Sequence, residues 1–300
     1  KFMKLFDCTT FYDEELIIDL RLNMLNKYVH KFIICEANFS HSGRKKELNF
    51  DINKFPKFKD KIEYVILKNE PKGLIYEDVN KKKESQLNWR SNSVKRIAFQ
   101  RNKLFEAVNE IANENDYIMY SDNDEIPNLE MFKPNTNKNE ITIFEQDLFY
   151  YKFNLLCDRI KWYGTRIIKK KDLINFEWLR QIKPKKYPFY RIDTLFKKDR
   201  YMNVNIIKNG GWHFTRIISP EEIHNKELDT EHHDEYRASN KTPEKIRDFI
   251  KRRVIDHDHL ADSKENKFGK EFPLKKLDIN KMPKYIRENE IKYSNWLDIN

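Results

Sequence analysis

MKLFDCTTFYDEELIIDLRLNMLNKYVHKFIICEA, residues 3–37, is the stretch on which the fold turns. MKLFDC reads as a short strand and HKFIICEA, residues 30–37, as a compact apolar one. Between them Leu16 and Leu20, then Asn23 and Met24, then Lys27 and Tyr28 recur at helical spacing. The three pieces make one β-α-β unit. KIEYVILK, residues 61–68, adds a strand. Residues 96–125 follow with a helix carrying Ile97, Leu104, Val108 and Ile111 on one stripe, and then the strand DYIMYS. Helices alternating with buried strands predict an α/β fold with a mostly parallel central sheet and helices on both faces.

Outward from this core the pattern loosens. EITIFEQDLFYYKF (140–153), PFYRIDTLFKK (188–198) and VNIIKNGGWHFTRI (204–217) have strand character, with Gly210 and Gly211 marking a turn or a close approach. Residues 220–236 open as a helix, because Pro220 suits a first turn with Glu221 and Glu222 behind it. Residues 242–255 repeat that signature with Thr242, Pro243 and Glu244, and the stretch around Pro273 and Pro283 reads as a surface-wrapping tail. There is no repeat and no linker. The expected organisation is one main domain over residues 1–240, with residues 241–300 a helix and tail packed on the same domain.

Composition narrows the function classes. With 21 Phe, 15 Tyr and 5 Trp in 300 residues, and only 6 Gly, the chain is too aromatic to be disordered and has no collagenous segment. A net charge of +10 excludes an acidic tail and leaves a basic binding surface open. Cys8, Cys35 and Cys157 are odd in number and lack metal-ligand spacing, which argues against a disulfide scaffold or a zinc ribbon. No apolar run approaches the ~18 residues of a membrane span, and the first residues lack a cleavage-type pattern. The expectation is a chain without a membrane span, in a cytoplasmic rather than secreted setting unless a targeting segment has been removed.

The sharpest chemical feature is YIMYSDNDEIPN, residues 117–128. An apolar strand ending in Asp122, Asn123, Asp124 and Glu125 places carboxylates where open α/β sheets bind their ligands. Such a cluster suits a hard divalent ion held through oxygen, which serves transfer and phosphate hydrolysis alike. Neither GxxxxGK[ST] nor GxGxxG is present, so phosphates would be met by metal and cationic side chains. GGWHFTRI, residues 210–217, supplies a backbone free to approach a ligand, a flat Trp212 and a His213 imidazole able to ligate metal. In LDTEHHDEY, His232, His233, Asp234 and Glu235 crowd together, and adjacent positions do not share a helix face. His257 and His259 form a further cluster with no partner pair spaced as in a zinc finger.

Charge by segment points the same way. Residues 161–200 hold 13 basic and 4 acidic residues and residues 81–103 hold 8 and 1, whereas residues 116–150 hold 2 basic and 8 acidic. A nucleic-acid-binding stripe needs no acidic block; an enzyme that holds a metal between carboxylates and meets a diphosphate with arginines needs both signs. No nucleic-acid partner is expected.

In this order FDCTTFYDEELIIDLRLNML, FIICEANFSHSGRKKELNF, QRNKLFEAV, YIMYSDNDEIP, WYGTR, GGWHFTRI and KELDTEHHDEY resemble the glycosyltransferase family of the β-1,4-mannosyl-glycoprotein β-1,4-N-acetylglucosaminyltransferase and its bacterial and viral relatives, over roughly residues 3–240. Thr215, Asn123 and the doubled His232 and His233 depart from the family pattern. The resemblance implies a GT-A-like, Rossmann-type fold and inverting transfer of a sugar, N-acetylglucosamine first, from a UDP-sugar to a glycan acceptor with Mn²⁺ or Mg²⁺. It makes Asp122 and Asp124 the metal and diphosphate pair, with His213 as the remaining protein ligand and Glu125 beside them. Glu36, at the end of its strand, is expected to face the donor pocket, and Gln100 and Arg101 to meet the nucleotide and its diphosphate. Trp162 and Trp212 are candidate sugar-stacking walls. For the base that deprotonates the acceptor the expectation is Glu235, with Asp193 and Glu145 behind it. The competing readings are another nucleotide sugar, a polyanion-binding module and a metal phosphohydrolase.

Overall fold

A computed structural model describes residues 3–76, 82–134, 140–184, 203–231, 233–260 and 268–299. The opening segment folds as β1 (Leu5–Phe11), α1 (Glu15–Leu25) and β2 (Lys31–Ala37), followed by β3 (Ile62–Leu67), α2 (Lys82–Ile111) and β4 (Tyr117–Tyr120). β3, β2, β1 and β4 lie side by side, all parallel. Alternation along these strands divides their side chains between two layers. Leu5, Ile34 and Met119 pack with Ile18, Leu22 and Leu25 of α1, whereas Phe6, Ile33 and Ile118 pack with Leu104 and Val108 of α2. One helix therefore covers each face. α2 reaches back to Lys82, well before the apolar stripe that revealed it.

The remaining strands extend and reverse the sheet. β5 (Glu125–Pro127), β6 (Glu140–Tyr150), β7 (Leu155–Lys169) and β9 (Gly211–Thr215) complete the order β3-β2-β1-β4-β7-β6-β9-β5, and β8 (Asn203–Ile207) adds to β6. β7 runs antiparallel to both β4 and β6, so the mostly parallel expectation holds for the first four strands and changes hand at β7. β8 and β9 pair in turn with the same edge of β6, both parallel to it. The turn expected at Gly210 and Gly211 separates them, and the Gly210 N–H donates to the Glu145 carbonyl at 2.6 Å. Gly211 is left at φ +148, and a Cβ there would sit 2.3 Å from the Ile126 carbonyl oxygen. Only glycine lets β9 come this close to β5. The strand expected over residues 188–198 lies outside the described residues.

Four helices build the outer wall: α3 (Phe176–Gln181), α4 (Pro220–Glu227), α5 (His233–Ala238) and α6 (Pro243–Arg252). α4 starts on a capping box between Ser219 and Glu222, with Pro220 in the first turn. α6 has the Thr242 cap and Pro243 start that its sequence announced. The chain then forms a hairpin of β10 (Val254–His257) with β11 (Phe268–Pro273), and β12 (Lys275–Lys276) adds to the main sheet beside β7. Met282, Ile286, Tyr293 and Leu297 return to the apolar layer under α1. Among the described residues no helix is long and apolar enough to cross a membrane.

Candidate active site

The turn after β4 carries Asp122, Asn123 and Asp124, and two arginines hold it, one buried and one half-buried. Arg21, on α1, is fully buried, as is Asp7 on β1. Its Nε and Nη2 donate to the two Asp7 carboxylate oxygens at 2.8 and 2.6 Å. Nη2 also donates to Ser121 Oγ at 2.6 Å, and Nη1 to the carbonyls of Glu125, Asn123 and Asp122 at 2.9, 3.3 and 3.4 Å. One side chain thus fixes the strand end and the backbone of the acidic turn. The ion pair supplies the charge balance that a buried guanidinium requires.

Arg180, on α3, grips the same turn through its side chains. Its Nη1 and Nη2 donate to Glu125 at 3.0 and 2.7 Å, and Nη2 donates to Asp122 Oδ2 at 2.7 Å. Glu125 is fully buried and accepts two more hydrogen bonds, from Trp162 Nε1 at 2.6 Å and from the Asp122 N–H at 3.0 Å. A Cβ on Gly164 would lie 2.4 Å from both Glu125 Cδ and Gln146 Oε1, which accounts for the glycine inside WYGTR. Burial alone would raise the Asp122 carboxyl, but Arg180, Arg101, His213 and His41 together hold it below the usual aspartate value. The stability this lends is present above the ordinary aspartate value and is lost as pH falls through the depressed one.

His213 arrives from β9, because the register of β5 on β9 sets Glu125 opposite it. Its Nε2 lies 3.2 Å from Asp124 Oδ2. Burial pushes the imidazole down, yet the carboxylates of Asp124, Glu125 and Asp122 together leave His213 above the ordinary histidine value. Its Nδ1 is buried without a hydrogen-bond partner among the described residues.

These groups open onto a cavity of about 350 Å³. Its lining takes Thr10, Phe11 and Tyr12 from the end of β1, Ala37 from the end of β2, Gln100 and Arg101 from α2, Asp122 to Asp124, His213, and Lys226 with Asp229 to Glu231. The carboxyl ends of the parallel strands converge here, as open α/β sheets place their ligands. Arg101 donates to the Tyr120 hydroxyl at 2.9 Å and to Glu177 at 2.7 Å. The far wall is closed by Asp229, which accepts from the Tyr12 hydroxyl at 2.6 Å, Ser42 Oγ at 3.1 Å and Arg44 Nε at 3.0 Å. Lys226 pairs with Glu14 and Asp13. The NFSHSG and KELDTE segments, remote in sequence, meet on this wall.

The fold therefore brings Asp122, Asp124, His213, Gln100 and Arg101 to one cavity, with Glu125 just behind them. Other expected residues stand elsewhere. Glu36 is fully buried and turned toward the loop after β2, accepting from Lys46, from the N–H groups of Asn49 and Phe50 at 2.8 and 3.0 Å, and from the Tyr64 hydroxyl at 2.7 Å. It anchors that loop, and its partner Lys46 reaches the cavity in its place. Trp212 alternates with His213 along β9 and packs on the apolar core, whereas Trp162 stands beside His213. Glu145 accepts from the Tyr163 hydroxyl at 2.9 Å and does not line the cavity. Glu235 lies on α5, turned to Arg90 at 2.8 Å, while Glu231 before that helix does line the cavity. Asp193 and His232 lie outside the described residues.

Sequence reading missed Asp7, Arg21, Arg180, Lys226 and Asp229. Two carried a signal: Arg21 is a cation inside the apolar run LIIDLRLNML, and Asp7 an anion inside the apolar strand LFDCTTF. A charge that interrupts a buried face needs a buried partner. Arg180 and Lys226 sat among many other basic residues and had none.

Among the described residues, no three His, Cys, Asp or Glu side chains gather into an all-protein metal cage. Ions of the Mg²⁺ kind are commonly held by one or two carboxylates, with substrate phosphates and water completing the shell. Asp122 and Asp124 suit that mode, since both line the cavity with side chains 39% and 29% exposed. The donor set thus fits an ion brought in with a phosphorylated substrate.

A family model described as glycosyltransferase family 17 matches residues 1–185. No curated protein matches the chain. The matched stretch contains the acidic turn and both arginines that hold it, and ends before His213, Lys226 and Asp229, which complete the cavity.

Proposed function

The chain belongs to glycosyltransferase family 17, and from that premise we propose that it moves a sugar, N-acetylglucosamine first, from a UDP-sugar to a glycan hydroxyl with inversion, on a GT-A-type fold. The observation that carries the reading is the acidic turn at the end of a parallel strand, opening on a cavity that Lys46, Arg101 and Lys226 also line. Arg101 and Lys226 supply positive charge against the diphosphate, and Tyr12 and Phe39 supply rings for the base. Asp122 and Asp124, with His213 beside them, would hold Mn²⁺ or Mg²⁺, which neutralises charge on the leaving UDP. An acceptor oxygen forms its bond to the anomeric carbon as the bond to UDP breaks on the opposite face. The hydroxyl proton passes to a carboxylate, and the cavity offers Glu231 for that role in place of Glu235.

The direct test offers the protein a panel of nucleotide sugars with and without Mn²⁺ and follows slow hydrolysis and the rise in melting temperature. UDP-N-acetylglucosamine is expected to give both, more strongly with the metal. A preference for another nucleotide sugar would reassign the donor, and no response to any would remove the transferase reading. For the base, Glu231→Gln is expected to cut transfer by roughly 10²-fold or more while UDP binding stays near wild type. Glu235→Gln should leave transfer within about twofold. The reverse pattern would return the role to Glu235.

A further inference from the structure

Beside His213, outside the lining of the cavity, stands a row of rings that donor binding leaves unused. The Trp162 ring centroid lies 4.7 Å from that of His213 and 6.2 Å from that of His259, which in turn lies 4.4 Å from His257. Trp162, His257 and His259 are only half-buried. Their orientation is nonetheless set from behind: Trp162 Nε1 donates to Glu125, and His259 Nε2 shares a hydrogen bond with the hydroxyl of the buried Tyr150.

Polar groups border the row. Arg159 lies 3.7 Å from Asp258, and its guanidinium is 3.5 Å from the Phe272 ring centroid. Flat rings edged by a carboxylate and a guanidinium match a pyranose, which presents a C–H face to stack and hydroxyls to bond at its rim. Position selects which sugar. Trp162 lies on β7, the neighbour of β4 in the sheet order, His259 is bonded to Tyr150 of β6, and none of the three rings lines the Tyr12 and Gln100 end of the cavity. Through Trp162 and Glu125 it is two hydrogen bonds from the Asp122 backbone.

We propose that Trp162, His257 and His259 form an acceptor subsite that takes a pyranose ring of a glycan, with Arg159 and Asp258 reading its hydroxyls. The assignment to the acceptor rests on the transferase reading above; the capacity to bind sugar does not. The test compares wild type with His259→Ala and Asp258→Asn on a printed oligosaccharide array, alongside UDP-N-acetylglucosamine hydrolysis. Wild type is expected to retain oligosaccharides that both variants bind at least tenfold more weakly, with hydrolysis within about twofold of wild type. Asp258→Asn keeps the test standing if His259→Ala fails to fold, since it leaves the Tyr150 hydrogen bond in place. Wild-type binding to no oligosaccharide, or equal binding by the variants, would overturn the subsite. Loss of array binding in the variants, with no nucleotide-sugar hydrolysis by wild type, would keep the glycan site and sink the transferase reading.

Discussion

Arg21→Met is expected to destabilise the protein by about 3–5 kcal/mol, the usual result of leaving one member of a buried ion pair alone. The Asp7 carboxylate would remain fully buried with both of its guanidinium hydrogen bonds gone. A urea denaturation series reads this directly. The double variant Asp7→Leu/Arg21→Met separates stability from function. Removing both charges together is expected to restore much of the lost stability, because an apolar pair of similar volume replaces a desolvated ionic one. It cannot restore the donor that Nη1 offers to the carbonyls of Asp122, Asn123 and Glu125. The double variant should therefore be folded while nucleotide-sugar hydrolysis stays at least tenfold below wild type. A single variant as stable as wild type, or a double variant with full activity, would show that Arg21 does not hold the turn.

Asp124→Ala is the second large effect. It is expected to abolish the Mn²⁺-dependent part of UDP binding and to lower transfer by roughly 10²–10³-fold. Calorimetry with UDP, with and without Mn²⁺, gives the binding part; unchanged affinity in both titrations would remove Asp124 from the metal assignment. The substitution also strips His213 of its carboxylate partner at 3.2 Å. With the largest opposing influence, burial, left in place, the imidazole should titrate at lower pH than in wild type. Any stability that the raised His213 contributes is full below the ordinary histidine value and lost as pH rises through the raised one, so the variant should lose that alkaline dependence. A histidine titration followed by NMR reports it without any need for activity.

Much of the fold and part of the site were legible in advance. The alternating apolar pieces of residues 3–37, the strand 61–68 and the stripe on α2 carried the periods of their secondary structures and the parallel character of the first strands, while the order β3-β2-β1-β4 came from the structure. Asp122, Asp124 and His213 stood out because carboxylates ended an apolar strand and a histidine followed a glycine pair. Glu36 stood out by the same logic and belongs to a loop anchor, because a strand-end carboxylate is drawn to whichever donors fold over it, here Lys46, Asn49, Phe50 and Tyr64. Trp212 and Trp162 were equivalent as sequence; strand parity sent one into the core and the other to the site.

By itself the sequence determined β1 to β4 and the helices between them, where the acidic turn falls, and that its carboxylates end a buried strand, but not β5, β7, α3 or the β10–β11 hairpin. These are local properties, carried by periodicity and turn chemistry within a few residues. Only the tertiary structure decided that β5 pairs with β9, so that Glu125 faces His213 across nearly ninety positions, and that Arg21 and Arg180 converge on one turn from separate helices. Partners of buried charges are chosen by sheet order and strand register. Those are global properties, since a charge within the core must find its counterion wherever the packed chain brings one within hydrogen-bond reach.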